Sequence, residues 1–303
     1  MKNVLAKLFL VFLTILPIPG CTASDIGDAK ALYNKGITLG EQGKLNEEIA
    51  SYDEVIKRFG NSGEPALLEL VANSAYNRCG AFSELKKMNE TIDCYEEINK
   101  RFGSSTDINS QHVVAKALNR KGSIFRKENR SDESINVFDE VIHRFRTSKD
   151  LSILERVVIA FTGKSTVLSE QGKLDEAILV CDDALNQFGT ATEPSLQPMI
   201  AKTFVNKGIL LSSKGKLDEA IATFDIAIKR YAQSSNTELQ SEAANALVKK
   251  ASALYDQGKP DEAIGCYDEL VKLYGNSTVP KLQELVTGAK SNKEFILAQK
   301  KSN

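Results

Sequence analysis

Gly215-Lys216-Leu217-Asp218-Glu219-Ala220-Ile221-Ala222-Thr223-Phe224-Asp225-Ile226-Ala227-Ile228-Lys229-Arg230-Tyr231 sets Ile221, Phe224, Ile228 and Tyr231 three or four residues apart, the spacing that gathers side chains on one face of a helix. The same pattern recurs along the chain without a gap. Gly43, Lys86, Asn129, Gly172, Gly215 and Gly258 open six consecutive rows of 43 residues. Three positions after each opener stands Asn46, Asn89, Asp132, Asp175, Asp218 or Asp261, and three further on Ile49, Ile92, Ile135, Ile178, Ile221 or Ile264. A repeat of this length predicts stacked helical hairpins in which each repeat covers the apolar face of its neighbour.

The hydrophobic phase changes once per row, so each row holds two helices, and the quoted stretch is the second and shorter. The Asn/Asp column is expected to cap it by accepting free amides. Gly60, Gly103, Gly189 and Gly275 follow its last aromatic and are expected to close it in a left-handed conformation. Pro65, Pro194 and Pro280 share one column and suit the first turn of a helix, where the missing N–H is not needed. About twenty residues then remain for a first helix on the order of 30 Å long. Seven such helices are expected, the last from about Pro280 to Lys300, capping the final hairpin. The expected fold is all-α, with about 13 helices.

Across 303 residues, 42% are hydrophobic, 26% are charged and the formal charge is −1. These values suit a folded array and exclude a disordered chain. So balanced a charge gives no general attraction to nucleic acid.

The N-terminus reads as a targeting segment. Lys2 and Lys7 flank the start, Leu8 to Ile18 is almost wholly apolar, and eleven residues are too few to span a bilayer as a helix. Ile18-Pro19-Gly20-Cys21 resembles a bacterial lipobox, with Pro19 departing from its usual residue. That resemblance implies a signal peptide over 1–20, lipidation of Cys21, a short linker over 21–27, and a protein anchored to the cell envelope. With Thr22 after the Cys, the site would be the periplasmic face of the outer membrane if the organism has one. Cleavage after Ala23, giving a soluble periplasmic or secreted protein, is the rival reading.

Asn34-Lys35-Gly36-x-x-Leu39 followed by Gly43-Lys44-Leu45-Asn46-Glu47-Glu48-Ile49-x-x-Tyr52 resembles a tetratricopeptide repeat, as do Asn206-Lys207-Gly208 and Gly215 to Ile221. The resemblance covers residues 28–300 and implies a right-handed α-solenoid domain whose concave wall is lined by the first helices. The usual repeat has 34 residues and closes on a proline. The nine extra residues here are expected to form a longer loop and about two more turns of the first helix.

Two charged columns share a fixed offset of 25 residues. Asp53, Glu96, Asp139, Asp182, Asp225 and Asp268 stand on second helices, and Arg78, Lys121, Lys164, Lys207, Lys250 and Lys293 on the following first helices. They are expected to pair as a ladder. On the wall that the family would make concave, Lys30 and Asn34, Asn73 and Asn77, Lys116 and Arg120, Lys202 and Asn206, and Asn245 and Lys249 recur at i and i+4. Ile159 and Gly163 interrupt the stripe, and Gly288 and Asn292 end it. These donors suit the carbonyls and carboxylates of an extended peptide. By resemblance, Asn77, Lys116 and Arg120 match three of the five positions of the family's carboxylate clamp, while Tyr33 and Ile37 replace its first Lys and Asn. The bland alternative is a solvated helix surface.

His112 and His143 belong to no metal or nucleophile motif, and Gly215-Lys216-Leu217 lacks the residues of a phosphate loop. Cys79, Cys94, Cys181 and Cys266 show no metal spacing, and no structural disulfide is expected. A non-enzymatic scaffold of the bacterial cell envelope follows, needing no cofactor or metal and docking proteins or extended peptides. The alternatives are a periplasmic receptor for a small or cell-wall-derived ligand, for which exposed aromatics such as Tyr33, Tyr76 and Tyr255 would be needed, and a structural spacer.

Overall fold

The computed structural model describes residues 23–302, so the segment 1–20 and Cys21 lie outside the described residues. Among the described residues there are thirteen helices and no strand. The chain divides into two compact units, one ending at Leu85 and the other beginning at Lys86. The first unit contains α1 (Ala23–Glu41), α2 (Leu45–Phe59) and α3 (Pro65–Glu84). The second contains α4 (Met88–Phe102), α5 (Ile108–Lys127), α6 (Ser131–Phe145), α7 (Leu151–Glu170), α8 (Leu174–Phe188), α9 (Gln197–Ser213), α10 (Leu217–Tyr231), α11 (Thr237–Asp256), α12 (Pro260–Tyr274) and α13 (Pro280–Ser302). α1 begins at Ala23, so residues 23–27, expected to be linker, are helical.

Even-numbered helices are the second helices of the hairpins, each 15 residues long. In the second unit each packs on its chain neighbours only, whereas α5, α7, α9, α11 and α13 also pack on one another in succession. First helices therefore form one layer of this unit and second helices the other. The first helices are the more closely spaced, which puts them on the inner side of any curvature.

One close approach sets the separation within the three hairpins whose first helix carries Gly36, Gly122 or Gly208. A Cβ on Gly208 would lie 2.4 Å from Cε1 of Phe224, and one on Gly36 would lie 2.5 Å from Cε1 of Tyr52. No side chain fits there while the ring keeps its place. In the row where Cys181 replaces the aromatic, Ser165 replaces the glycine, and their Oγ and Sγ atoms are 3.1 Å apart. The aromatics themselves are core residues, from Tyr52 and Phe138 to Tyr231 and Tyr274.

Helix ends depart from expectation. The Asn/Asp column is not the N-cap, which is Lys44, Lys87, Arg130, Lys173, Lys216 or Lys259 with no side-chain capping bond. The carboxylates sit two residues after the cap, within the first turn, where they favour the helix dipole. They also accept from the end of the next first helix, 39 residues on. Gln171 Nε2 donates to Asp132 at 3.3 Å and Gln257 Nε2 to Asp218 at 2.8 Å, while Lys214 and Lys300 pair with Asp175 and Asp261. The glycines after the aromatic are right-handed, with φ of −61° at Gly60 and −58° at Gly275. The left-handed residues are instead the row openers, with φ of 72° at Gly43 and 78° at Gly215. There the chain reverses between helices, and Lys44 and Lys216 N–H groups donate back to the Leu39 and Leu211 carbonyls, both at 2.9 Å. Lys86 and Asn129 take the same conformation with side chains present. Pro65 opens α3 and Pro280 opens α13, but Pro194 lies in a turn ahead of α9, where Pro198 takes the early helical place.

The expectation of no disulfide is also corrected. Cys79 and Cys94 are each disulfide-bonded, and Cys181 and Cys266 are free and buried. The two oxidised thiols share neither a spaced motif nor a column of the repeat.

The charged ladder is present on every rung. Asp53–Arg78 closes at 2.8 Å, Glu96–Lys121 at 3.1 Å, Asp139–Lys164 and Asp225–Lys250 at 2.6 Å, Asp182–Lys207 at 2.5 Å, and Asp268 pairs with Lys293. At Lys250 burial is the largest single effect and lowers the pKa, but the hydrogen bond and charge of Asp225, with the nearby Cys266 and Glu269, together outweigh it and the ammonium's pKa is raised. α13 buries Leu282, Val286, Ala289 and Ile296, and so covers the last hairpin.

Two outcomes follow. Gly208→Ala, despite its better helix propensity, lowers stability by about 1–2 kcal/mol through overpacking, whereas Gly265→Ala, with open space around it, raises stability by up to about 1 kcal/mol. Urea unfolding of both variants checks the pair, and an equal gain at both sites would remove the close approach from the account. In a double-mutant cycle, Asp182→Ala and Lys207→Ala show a coupling of about 0.2–1 kcal/mol, and additivity within error would mean that the rung holds nothing.

Candidate docking face

The i, i+4 donors stand on the first helices, one turn apart, as their spacing requires. In the first unit, Lys30 and Asn34 of α1 are exposed, whereas Asn73 and Asn77 of α3 are half-buried. Asn77 is already engaged, its Nδ2 donating to the hydroxyls of Tyr33 at 3.3 Å and Tyr52 at 3.4 Å. Those two rings lie 5.9 Å apart, centroid to centroid. Burial pushes the Tyr52 hydroxyl up to about 12, against the opposing effect of the Asn77 bond. Tyr33 and Asn77 thus serve packing as well as surface.

In the second unit Lys116 is half-buried and Arg120 exposed on α5. Burial first, then the charges of Arg156 and Arg120, lowers the Lys116 pKa, and burial, Arg156 and Lys116 lower that of His112. α7 contributes Arg156, whose carbonyl accepts from Asn119 Nδ2 at 2.8 Å. This end of the face is strongly cationic. On α9 Lys202 is exposed and Asn206 half-buried, and on α11 Asn245 is half-buried and Lys249 exposed.

Three clefts open along the same face of this unit. One, of about 260 Å³, is lined by Phe138, Ile159, Gly163, Met199 and Lys202 among others. The next, of about 160 Å³, includes Ser165, Thr166, Asn206 and Ile209. A third, of about 220 Å³, lies between α11 and α13 and contains Tyr255, Asn292 and Phe295. Lys202, Asn206 and Asn292 from the sequence pattern are therefore cleft residues. Asn245 and Lys249 are not brought into these clefts.

Sequence reasoning missed a third column, three residues beyond the Asn34–Asn206 one, in which Ser123, Thr166, Ile209, Ser252 and Phe295 line the clefts. Their spacing was on the page, but their mixed chemistry made no stripe. Among the described residues, no group of three or more His, Cys, Asp or Glu side chains is placed to hold a metal ion, and no helix is long and apolar enough to cross a membrane.

Models of the tetratricopeptide repeat match residues 30–62 and 205–278, and these segments carry such repeats. Among solved structures, BtubC from P. vanneervenii is similar with a TM-score of 0.59 at 12% identity, covering 78% of this chain and 94% of its own. The apo form of RapI is similar at 0.55 and 12%, covering 87% of this chain and 86% of its own. PilW, described as a widely conserved type IV pilus biogenesis factor, is similar at 0.50 and 16%, covering 85% and 98%. At such identities the likeness is one of fold. No curated protein matches the sequence.

Proposed function

We propose that this chain is a non-enzymatic docking scaffold of the bacterial cell envelope, which holds extended segments of partner proteins along the face made by its first helices. One observation carries the reading. On the second unit, outward donors such as Lys202 and Asn206 share their face with a row of open clefts, so backbone carbonyls and side chains of one extended segment find places together. The clefts are smaller than the roughly 300–1,000 Å³ typical of small-molecule sites, which favours side chains over a cofactor. Attachment through Cys21 would place the scaffold at a membrane surface, where several acyl chains give lasting retention.

The receptor reading has one observation in its favour. Tyr255 and Phe295 are 39% and 57% exposed and share a cleft, an arrangement that would stack on a ring or a sugar face.

A photo-crosslinking amino acid placed at Thr166 or at Leu179 in the full-length protein, expressed in bacteria, distinguishes the first-helix face from the second-helix surface. Protein adducts are expected at Thr166 and not at Leu179. Adducts at Leu179 alone would move docking to the other surface, and adducts at neither would favour the receptor or spacer. In the same cells Cys21→Ala is expected to shift the protein from the membrane to the soluble fraction, and unchanged fractionation would remove the lipid anchor.

A further inference from the structure

The donor stripe of the second unit is interrupted at α7, and the interruption has a physical cause. Ile159 stands in the column of Lys116, Lys202 and Asn245, and Gly163 in that of Arg120, Asn206 and Lys249. A Cβ on Gly163 would lie 2.4 Å from Cζ of Phe138, and one on Gly122, across the ring's own hairpin, 2.9 Å from its Cε1. Phe138 is thus held between two glycines and is only 1% exposed, so no side chain can stand at Gly163, and the apolar surface beside that position is offered by the partly exposed Ile159 and Met199.

The space so left is the cleft of about 260 Å³. Its floor and walls include Phe138, Ile159 and Met199, and its rim carries Arg126 and Lys202. No carboxylate lines it. Arg126 is partly neutralised, since its Nη1 lies 2.9 Å from Glu170 Oε1. Lys202 is exposed and takes part in no ion pair among the described residues. An apolar recess with an uncompensated ammonium at its edge complements a ligand that is apolar at one point and anionic close by.

Building on the docking reading, we infer that this cleft is the selective pocket of the face: it takes one bulky apolar side chain of an extended partner segment, and Lys202 holds an Asp or Glu carboxylate two residues away. The spacing follows from strand geometry. Successive side chains of an extended segment point to opposite sides, so residues i and i+2 face the same surface, about 6.6 Å apart. The apolar side chain supplies affinity by leaving water, and the carboxylate supplies register, because an exposed ion pair contributes little by itself. The neighbouring clefts differ: the Asn206 cleft contains Glu170, and the Tyr255 cleft contains Asp256, each disfavouring an acid there.

The test is fluorescence anisotropy of the full-length protein with labelled synthetic nonapeptides in a Gly/Ser background. They carry Phe-Ser-Asp, its reverse Asp-Ser-Phe, Ser-Ser-Asp or Phe-Ser-Lys at the centre. One of the two Phe/Asp orders is expected to bind best, with a loss of about tenfold on removing Phe, the scale of a well-buried anchor. Lys202→Glu, an exposed change that leaves packing intact, is expected to reverse the preference between Asp and Lys peptides, weakening the former about three- to tenfold. Lys229→Glu, an exposed change on second helix α10 away from the first-helix face, is expected to keep the wild-type preference, and Ile159→Asn to abolish the preference for Phe.

Absence of a reversal in Lys202→Glu, an equal reversal in Lys229→Glu, or a Phe preference that survives Ile159→Asn would overturn the pocket while leaving docking on this face in place. So would peptides that all fail to bind while crosslinks still form at Thr166. Absence of both peptide binding and crosslinks at Thr166 would overturn the docking reading and the pocket with it.

Discussion

Everything in this fold rests on how closely a first helix can approach the aromatic ring of the second. At Gly208 and Gly36 the distance between a notional Cβ and the ring is well below contact, so the ring packs directly against backbone. That approach fixes the separation within these hairpins, and close packing leaves little room to vary it. The column is not glycine throughout: Cys79 and Ala251 stand in it where the row keeps a tyrosine, and with Cys181 in the ring position Ser165 fills the vacated space and the two side chains meet. Once hairpins have equal width, successive ones can stack with the same offset, and only then do charges 25 residues apart find each other on every rung. The ladder is thus a consequence of the packing, adding angular preference more than stability.

Those features that repeat were legible because repetition states the same interaction six times. The second helices, the ladder and the aromatic core came from column identity alone. Helix ends were misplaced for a definite reason. Asp218 looks like a cap from its chemistry, but the left-handed turn at Gly215 starts the helix at Leu217 and puts Asp218 inside it, where its partner is Gln257, 39 residues on. A long-range acceptor and a local cap have the same residue preference, and only the backbone conformation separates them. Pro194 illustrates the same limit, since a proline suits a turn before a helix as well as its first turn. Cys79 and Cys94 share neither motif nor column, so nothing periodic announced their oxidation.

The candidate face was legible in its direction and less so in its detail. Polar residues at i and i+4 located the exposed side of the first helices, and Lys202 and Asn206 do line clefts. The pattern could not tell a donor facing solvent from one facing a tyrosine. Asn77 donates to two phenol oxygens of its own unit. It stands 25 residues after Tyr52, which makes this position partly a partner of the ring beneath it.

One repeat differs from its neighbours in this column in chemistry as well as in shape. Asn77 donates to the tyrosine 25 residues before it, whereas Phe138 offers no acceptor and lies so close to Gly163 that no side chain fits there. Lack of a hydroxyl does not by itself empty the column, since Phe224 keeps Lys249 25 residues on. The close approach of the Gly163 backbone does, and a recess lined by Ile159 and Met199 opens in an otherwise polar stripe. Selectivity on a repetitive surface needs such a break, since identical columns present the same groups to every register of an extended chain. The recess lined by Ile159 and Met199, with Lys202 beside it, gives a bound segment a position to prefer.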